Sequence, residues 1–306
     1  MAMTSTRMLP ASIASNGSNG SQRSHRSYSL APSEDDNQTP LFPTIVLGKD
    51  EITPLFRSRH PEELIVRGAP LFTCAKCFKY TPKEDKLRAH ERACLRRRHA
   101  GKAVLCSDEF MVNEVDGSVD KLYAQHLALF TRLFLDTKSV FFDVSPFMFY
   151  TLIKRSTKQI VGVFSKEKMS WDNNNLACIL ILPPWQRKGL GQVLISASYA
   201  LGRKEGRLGG PERPLSDLGH KGYISYWCGE IFRTLLDLKP GDCITVQQIS
   251  DKTYITTEDI LEALDTFDSG VIEENSRGLG IHADKLEKWA EKNNVRKERP
   301  VDWVVL

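Results

Sequence analysis

The sequence predicts a mixed α/β fold of the α+β class, and three observations carry that prediction. First, short strand-like segments alternate with helix-like ones between residues 139 and 201. Second, an apolar run that stops at Pro183 is followed by a glycine-containing turn and then by a helical pattern. Third, three cysteines and one histidine between residues 74 and 94 have the spacing of a metal-binding module.

Length and composition set outer bounds on what the protein is. A chain of 306 residues is long enough for two or three modules around a sizeable core. Hydrophobic residues make up 41% and charged residues 26%, which is typical of a soluble protein. The formal net charge of +4 does not by itself indicate nucleic-acid binding. We expect no membrane span and no signal peptide, because no apolar run has the required length. Seven cysteines, an odd number, favour metal and thiol uses in a reducing compartment over disulfides.

The N-terminal segment, residues 1–40, is predicted to be a disordered tail. It is rich in Ser, Asn, Gly and Thr and poor in large apolar residues, so it cannot bury enough surface to offset its ordering entropy. Its early arginines weakly resemble a mitochondrial transit peptide. Pro10, Gly17 and Gly20 argue against a sustained amphipathic helix, so the flexible tail of a nuclear protein is favoured. Residues 44–48 are then predicted to form a strand and a turn.

The cysteine and histidine pattern predicts a structural zinc finger of the C2HC type. Cys74 and Cys77 are spaced as on a tight knuckle, and His90 and Cys94 lie four positions apart, on one face of a helix. Residues 84–98 contain neither glycine nor proline and are predicted to form that helix. Chance spacing and a DNA-reading finger are the alternatives. A single finger rarely suffices for sequence specificity, so a structural Zn²⁺ site is favoured.

The finger region is also basic. Ten Lys or Arg residues lie between Lys76 and Lys102, and residues 96–98 are all Arg. Such runs commonly form a solvated face. The alternative is a patch that contacts DNA phosphates without sequence specificity.

Four segments are predicted between the finger and the glycine turn. Residues 121–136 form an amphipathic helix with Leu122 on its apolar face. Residues 139–144 are predicted to be a strand, residues 146–154 a short helix and residues 159–165 another strand.

The stretch from Leu176 onward predicts a strand, a turn and a helix in succession. The Ile- and Leu-rich run Leu176–Leu182 is predicted to be a buried strand, and the turn QRKGLG at residues 186–191 leads into a helix that starts near Gln192. The first amides of a helix lack internal partners and carry the positive end of its dipole, so this turn suits a phosphate. An ordinary strand-to-helix connection is the alternative. The turn lacks the complete dinucleotide fingerprint and the Gly-Lys-Ser/Thr ending of a nucleoside-triphosphate loop. Dinucleotides and nucleoside triphosphates are therefore disfavoured as ligands.

These motifs resemble a known family. The turn QRKGLG is similar to the Q/R-x-x-G-x-G/A motif with which acetyltransferases of the GNAT-related fold hold the pyrophosphate of coenzyme A. The segments FSKEK at 164–168, NLACIL at 175–180 and PERPLSDLG at 211–219 resemble the core of the MYST family of histone acetyltransferases. The resemblance covers residues 44–306. It implies a GNAT-like core that binds acetyl-CoA.

The resemblance also implies a division of the chain into domains. After the tail at 1–40 it places the C2HC zinc finger module at 41–105 and the acetyl-CoA-binding catalytic core at 106–238. A winged-helix-like region follows at 239–306.

The resemblance implies functional roles for the individual residues that match the motifs of the family. Glu212, in PERPLS, matches the catalytic glutamate of the family and implies a general base; alone it would be an exposed loop acid. Cys178, in NLACIL, matches the active-site cysteine, and alone it would be a buried strand cysteine. Direct attack of the substrate lysine on acetyl-CoA in a ternary complex is favoured, with Glu212 as the base and Cys178 in a supporting role. The implied acetyl-CoA-binding residues are Ile179, Leu180, Ile181, Arg187, Lys188, Gly189, Leu190, Gly191, Gln192 and Ser216. For Ser216, capping of a loop is the alternative.

One position departs from the family pattern. Arg132 stands where most MYST enzymes carry a lysine that becomes self-acetylated. Arginine keeps the positive charge but cannot be acetylated in this way. Self-modification at this position is therefore in doubt.

The C-terminal region is predicted to hold two short helices, at 244–250 and 257–264, and a wing-like turn at 278–280. The second helix is acidic, which disfavours DNA binding and favours packing beside the core and the substrate. Its acidic residues and those just beyond it are Glu258, Asp259, Glu262, Asp265 and Asp268.

The resemblance implies a nuclear lysine acetyltransferase that acts on histone tails and nucleosomes, with histone H4 as the expected substrate. The compact layout resembles the fungal silencing-type catalytic subunit of the SAS complex, which implies scaffold partners. The alternative is a catalytically weak nucleosome-binding or scaffold subunit that retains the fold.

Overall fold

The computed structural model of this protein describes residues 39–57, 59–66, 68–94, 99–136, 142–239 and 241–306. The predicted tail lies outside the described residues except for its last two positions. The arginines at 96–98 also lie outside them. Residues Gln38–Leu306 form one compact unit.

A small four-stranded sheet and one helix form the N-terminal module. The sheet has the order β2-β1-β3-β4. Its strands are β1 (Ile45–Leu47), β2 (Asp50–Ile52), β3 (Leu71–Thr73) and β4 (Tyr80–Thr81), and α1 (Glu84–Ala93) follows them. β1 confirms the strand predicted at residues 44–48, and it pairs antiparallel with β2 and parallel with β3. Ile45, Leu71 and Phe78 are almost fully buried, so this module shares its core with the rest of the chain.

A six-stranded sheet of the order β12-β5-β6-β7-β8-β9 lies at the centre, and every neighbouring pair in it is antiparallel. Its strands are β5 (Lys102–Cys106), β6 (Phe110–Asp116), β7 (Phe147–Lys154), β8 (Gln159–Glu167), β9 (Cys178–Ile181) and β12 (Val304–Val305). β8 confirms the strand predicted at 159–165. β9 confirms the strand predicted before the prolines, although it is shorter and only partly buried.

The short helix predicted at residues 146–154 is wrong. These residues form β7, which pairs with β6 along one side and with β8 along the other. Phe149, Leu152 and Ile153 are buried, so the strand is apolar on both faces and shows no two-residue alternation. Periodicity alone cannot separate such a strand from a buried helix; its aromatic and β-branched residues were the better signal. Of the strand predicted at 139–144, residues 142–144 are not in a strand and the rest lies outside the described residues.

Three longer helices are α2 (Lys121–Arg132), α3 (Leu190–Glu205) and α4 (Asp217–Leu236). The first two pack on the central sheet, and α4 packs against α3. α2 confirms the predicted amphipathic helix, but it ends at Arg132, four residues before the predicted end. Leu122 is 66% exposed and does not belong to the buried face. α3 begins at Leu190, two residues before the predicted start, because Gly189 occupies the N-cap position.

The C-terminal part forms a second apolar cluster around α4. Its elements are α5 (Val246–Thr253), α6 (Thr257–Leu264), β10 (Ile272–Asn275), β11 (Gly278–Ile281) and α7 (Ala283–Lys292). The two short helices and the β10–β11 hairpin agree with the predicted winged-helix-like region, but the turn predicted at 278–280 is wrong: these residues begin β11, and the turn lies at 276–277. Trp227 of α4 is fully buried and its Nε1 donates to the hydroxyl of Tyr199, 2.8 Å away. None of the helices in the described ranges is long and apolar enough to cross a membrane.

Candidate functional site

The four predicted metal ligands converge at one point, with all their ligand atoms within 4.8 Å of one another. They are Cys74, Cys77, His90 and Cys94. Sγ of Cys77 lies 3.2 Å from Nε2 of His90. Two backbone hydrogen bonds close the knuckle, since the amide of Cys74 donates to Lys79 at 2.8 Å and the amide of Phe78 donates to Cys74 at 2.9 Å.

This donor set fits a structural Zn²⁺. With Zn–S bonds of about 2.3 Å, two sulfurs on a tetrahedral ion lie roughly 3.8 Å apart, which is compatible with the observed cluster. The hydrogen bond between the two thiols lowers the pKa of Cys74 and raises the pKa of Cys77, so without a metal the pair loses its first proton readily and keeps its second. Four protein ligands leave no open position on the ion, so such a metal would support the fold and not the chemistry.

A cleft opens where two parallel segments separate. The amide of Asn175 donates to the carbonyl of Gly210 and the amide of Glu212 donates to the carbonyl of Leu176, both at 2.8 Å. Leu176 and Pro211 form a parallel bridge between these two hydrogen bonds. Beyond this bridge the first segment continues through β9 towards α3, while the second turns into α4. Within the described chain, β9 is the edge strand of the sheet and pairs only with β8. The chain therefore leaves one side of β9 open towards the gap.

Backbone groups of β9 face this open side. The amide of Leu182 donates to Val161 of β8 at 3.0 Å, in register with the β8–β9 ladder. Since alternate residues of an antiparallel ladder direct their backbone groups to opposite sides, those of Leu180 face β8 and those of Ile179 and Ile181 face the gap. The carbonyl of Ile181 accepts a hydrogen bond from Gln186 Nε2 at 2.9 Å. This edge can accept an extended ligand that carries amide groups.

The glycine turn at the end of the cleft leaves room in front of α3. Gly189 is its N-cap, with φ 74° and ψ 0° in the left-handed region. A Cβ built on Gly189 or on Gly191 meets no heavy atom within 4 Å. α3 is 16 residues long and has no acidic residue in its first turn, so nothing in that turn offsets its dipole. The amide of Gln192 donates to the carbonyl of Gly189 at 3.1 Å, so the space and the partial positive charge at the start of the helix are what suit a diphosphate.

The two basic residues of the turn differ in orientation. Arg187 is exposed and has a left-handed φ of 59°. Nζ of Lys188 donates to the carbonyl of Pro184 at 3.0 Å and lies 4.8 Å from the ring centre of Trp185. Both side chains are exposed, but the structure holds the Lys188 charge beside Trp185.

Three other predicted cofactor-binding side chains also serve the fold. Leu190 is 8% exposed and belongs to the core. Nε2 of Gln192 donates to the carbonyl of Gly222 at 2.8 Å and so ties α3 to α4. Ser216 is the N-cap of α4, and its hydroxyl oxygen accepts from the amide of Gly219 at 3.2 Å. The Ser216 proton can still be donated to a ligand.

Cys178 and Glu212 lie at the same end of β9. Cys178 begins the strand opposite Ser165 and lines a small cavity together with Thr131. The side chain of Glu212 is exposed, and its amide is bonded to Leu176, two residues before Cys178. The structure therefore places the backbone of Glu212 against the strand segment two residues before Cys178, although the two residues are 34 positions apart in the sequence.

Arg132 closes α2 beside this cavity. Its Nη1 donates to the carbonyl of Leu135 at 3.1 Å, and its side chain is 23% exposed. Thr131 and Leu135, its neighbours, both line the cavity at Cys178. The charge of Arg132 is thus held close to the predicted active site.

The partners of Arg213, the residue after Glu212, were not predicted from the sequence. Its Nη2 donates to Asp259 Oδ1 and to Glu262 Oε2, at 2.7 Å in each case. The sequence suggested only an acidic helix surface at these two positions. The signal that could have indicated an acidic partner is the basic residue inside the PERPLS motif, next to the predicted base.

The fold and the site define a protein with a C2HC metal module and a splayed mixed α/β core that suits a diphosphate-bearing ligand. The model of the MOZ/SAS family matches residues 98–305, and the model of the MYST family zinc finger domain matches residues 40–94. This chain therefore belongs to the MOZ/SAS family, which confirms the resemblance drawn from its motifs.

Curated relatives from two animals and one plant carry the same region. The chain is 41% identical over 229 residues to the "Histone acetyltransferase Tip60 homolog" of Caenorhabditis elegans, covering 73% of this chain and 50% of that protein. It is 43% identical over 223 residues to the "Histone acetyltransferase MOF" of Drosophila melanogaster, covering 71% of this chain and 26% of that protein. It is 41% identical over 244 residues to the "Histone acetyltransferase of the MYST family 1" of Arabidopsis thaliana, covering 78% of this chain and 54% of that protein. The chain thus spans about half or less of the length of these relatives.

A solved structure with a local likeness is an aminoglycoside acetyltransferase from an uncultured soil metagenomic sample in complex with trehalose. It is 12% identical, with a TM-score of 0.28 over 39% of this chain and 86% of that chain. This score is too low to establish a common fold.

Proposed function

We propose that this chain transfers the acetyl group of acetyl-CoA to a lysine of a histone tail, with histone H4 as the expected substrate and Glu212 as general base. The observation that carries the proposal is the cleft between β9 and the Glu212 segment. It combines an open strand edge, an unfilled helix N-terminus and an exposed carboxylate on Glu212, whose amide is bonded to Leu176, two residues before Cys178. Membership of the MOZ/SAS family and the names of the relatives agree with it.

The strand edge and the glycine turn would hold acetyl-CoA. Backbone groups of Ile179 and Ile181 can pair with the amides of the pantetheine arm. The first amides of α3, reached over Gly189 and Gly191, can donate to the diphosphate, and Arg187 adds a full charge. The hydroxyl of Ser216 can donate to the thioester sulfur or the departing thiolate.

Glu212 would remove the proton that prevents a lysine from acting as a nucleophile. A free lysine has a pKa of about 10.4, so neutralising it at pH 7.4 costs roughly 4 kcal/mol. Glu212 takes this proton as the amine attacks the acetyl carbon, and the CoA thiolate leaves. We propose direct attack, in which Cys178 lines the acetyl pocket and is not acylated.

The proposed substrates and partners follow from the family and from the surface charge of the finger. The substrates are histone tails in nucleosomes, so a nuclear location and a role in chromatin regulation and gene silencing are proposed. Lys76, Lys79, Lys83 and Lys86 are exposed and can contact DNA phosphates. Scaffold subunits are proposed by analogy with the silencing-type catalytic subunits. A structural Zn²⁺ at the C2HC cluster is part of the proposal.

The experiment compares pH–rate profiles of wild type, Glu212→Gln and Cys178→Ser on an H4 tail peptide and on nucleosomes, with candidate partners added. Glu212→Gln is nearly isosteric but cannot accept the proton, so we expect a loss of about 10²–10⁴-fold in rate. The loss should shrink as pH rises, because hydroxide increasingly deprotonates the substrate amine. Acetyl-CoA affinity, measured by calorimetry, should stay unchanged and serves as the control for folding.

The outcomes separate the alternatives. Cys178→Ser should cost much less than Glu212→Gln if attack is direct, and nearly all activity if an acetyl-cysteine forms. Equal rates for wild type and Glu212→Gln at every pH would exclude Glu212 as the base. No turnover by wild type, even with partners and nucleosomes, would replace the enzyme by a scaffold or nucleosome-binding subunit.

A further inference from the structure

Hydrogen bonds hold the segment that carries Glu212 on two sides. On the β9 side, the amide of Glu212 donates to Leu176 at 2.8 Å. On the other side, the guanidinium of the adjacent Arg213 reaches α6 in the C-terminal region. A single nitrogen, Nη2, donates to both Asp259 Oδ1 and Glu262 Oε2 at 2.7 Å. One cation therefore bridges two carboxylates directly beside the proposed base.

The position of Asp259 is well defined, because the residue is buried and its neighbours restrict it. Its side chain is only 5% exposed, compared with 48% for Arg213. Its amide donates to Oγ1 of Thr256, the N-cap of α6, at 3.2 Å. A Cβ built on Gly210 would lie 2.5 Å from Asp259 Oδ2, so the carboxylate packs directly against the backbone just before Glu212. A buried carboxylate needs a partner, which ties Arg213 to this position.

Glu262 adds a second connection to the same segment. Its other oxygen, Oε1, lies 2.7 Å from Nε2 of His220 in the first turns of α4. His220 in turn donates its amide to Ser216, the N-cap of α4, at 2.7 Å. One carboxylate of α6 thus holds both ends of the short connection between Arg213 and α4.

We propose that Asp259 and Glu262 are positioning residues for acetyl transfer, which through Arg213 and His220 hold Glu212 at the reaction site. This inference rests on the proposed function, since it assigns the C-terminal region a part in the same reaction. Neither carboxylate needs to touch a substrate for this role. Their effect on rate passes through Glu212.

A double-mutant cycle tests this route. Asp259→Asn and Arg213→Met should lower kcat by about 10- to 100-fold, the loss expected from a displacement of about 1 Å. KM and Kd for acetyl-CoA should not change. In a Glu212→Gln background, Asp259→Asn should cost less than about threefold, because the group that it positions is already disabled.

Two further variants sharpen the test. Arg213→Lys should retain more of the rate than Arg213→Met, because both hydrogen bonds come from one nitrogen whose charge a lysine keeps, but less than wild type, because the guanidinium also lies 5.9 Å from the ring centre of Trp227. Glu287→Gln is the matched control: Glu287 is an exposed carboxylate on α7 that pairs with Lys297 at 2.7 Å. It removes the same charge from the same region and should leave the rate unchanged.

The outcomes distinguish this inference from the proposed function. An equal loss for Asp259→Asn in both backgrounds would overturn the positioning role, and so would a Glu287→Gln defect as large as that of Glu262→Gln. If Asp259→Asn failed to bind acetyl-CoA, the test would use Arg213→Met and Glu262→Gln instead, because both residues are partly exposed. Each would be measured alone and in the Glu212→Gln background. A wild type without turnover would remove the proposed function itself, and Glu212→Gln at the wild-type rate would remove the base.

Discussion

The two glycines of the turn allow a test that separates folding from acetyl-CoA binding. Gly189 has a φ of 74°, so a residue with a side chain there costs about 1–2 kcal/mol of stability. Gly191 lies within α3 and outside the left-handed region, so alanine should stabilise the helix by up to about 1 kcal/mol. Neither added Cβ meets a heavy atom within 4 Å, so steric conflict inside the protein does not contribute.

These values predict opposite changes in thermal stability. At about 2–4 °C per kcal/mol for a domain of this size, Gly189→Ala should lower Tm by about 2–8 °C. Gly191→Ala should raise Tm by up to about 4 °C. Both variants fill the space through which the diphosphate reaches the amides of α3. Losing one hydrogen bond to a charged group costs about 1.5–3 kcal/mol, so both should weaken acetyl-CoA binding by roughly 10- to 100-fold.

Thermal unfolding measures the change in Tm, and calorimetry on the same preparations measures the change in acetyl-CoA affinity. The informative variant is Gly191→Ala, since better folding with weaker binding cannot come from a damaged structure. A Gly191→Ala protein that binds acetyl-CoA as tightly as wild type would refute the placement of the diphosphate at this turn.

Three further predictions concern the metal, the packing of β9 and the response to acid. Metal analysis should find about one zinc per chain, and Cys77→Ala should lower Tm; a metal-free protein that is fully folded would contradict this. Gly162→Ala should cost about 1–3 kcal/mol and weaken acetyl-CoA binding, because its Cβ would lie 2.8 Å from side-chain atoms of Ile181 and Leu194; unchanged Tm and affinity would argue against it. Burial lowers the pKa of His60 to about 4 from its ordinary 6.5. The unfolded chain therefore gains a proton between these values that the folded chain does not, so His60 should reduce stability by up to about 3 kcal/mol as pH falls from 6.5 to 4. Urea unfolding should show a flatter pH dependence for His60→Phe than for wild type, and parallel curves would exclude this contribution.

Features encoded by a few neighbouring residues were predictable from the sequence. The metal cluster follows from the spacing of its ligands, because a knuckle and one helical turn bring such residues together in any fold. The turn at Gly189 was predictable for the same reason, since strand, glycine and helix follow directly along the chain. α7 offered an equally local signal, with Leu286, Trp289 and Ala290 at helical spacing and buried, but it was not predicted.

Features that depend on distant pairing were not predictable. β7 is apolar on both faces only because β6, β8 and the layers of helices surround it, and the sequence alone gave no period to distinguish it from a helix. β12 is two residues long and is a strand only because Val304 pairs with Cys106, almost two hundred positions earlier. The proposed boundaries at 105/106 and 238/239 stay predictions; the β12–β5 pairing crosses both of them.

The same limit explains the acidic helix α6. Counting charges predicted a surface that repels DNA phosphate, and this stays a prediction. It could not show that Asp259 and Glu262 meet Arg213, because their positions differ by 46 and 49 residues. Once paired, the two carboxylates no longer act as free surface charges, since their closest partner is a guanidinium 2.7 Å away. Their charge instead fixes the backbone that carries Glu212. The winged-helix-like region and the predicted core therefore depend on each other at the point where the proposed chemistry takes place.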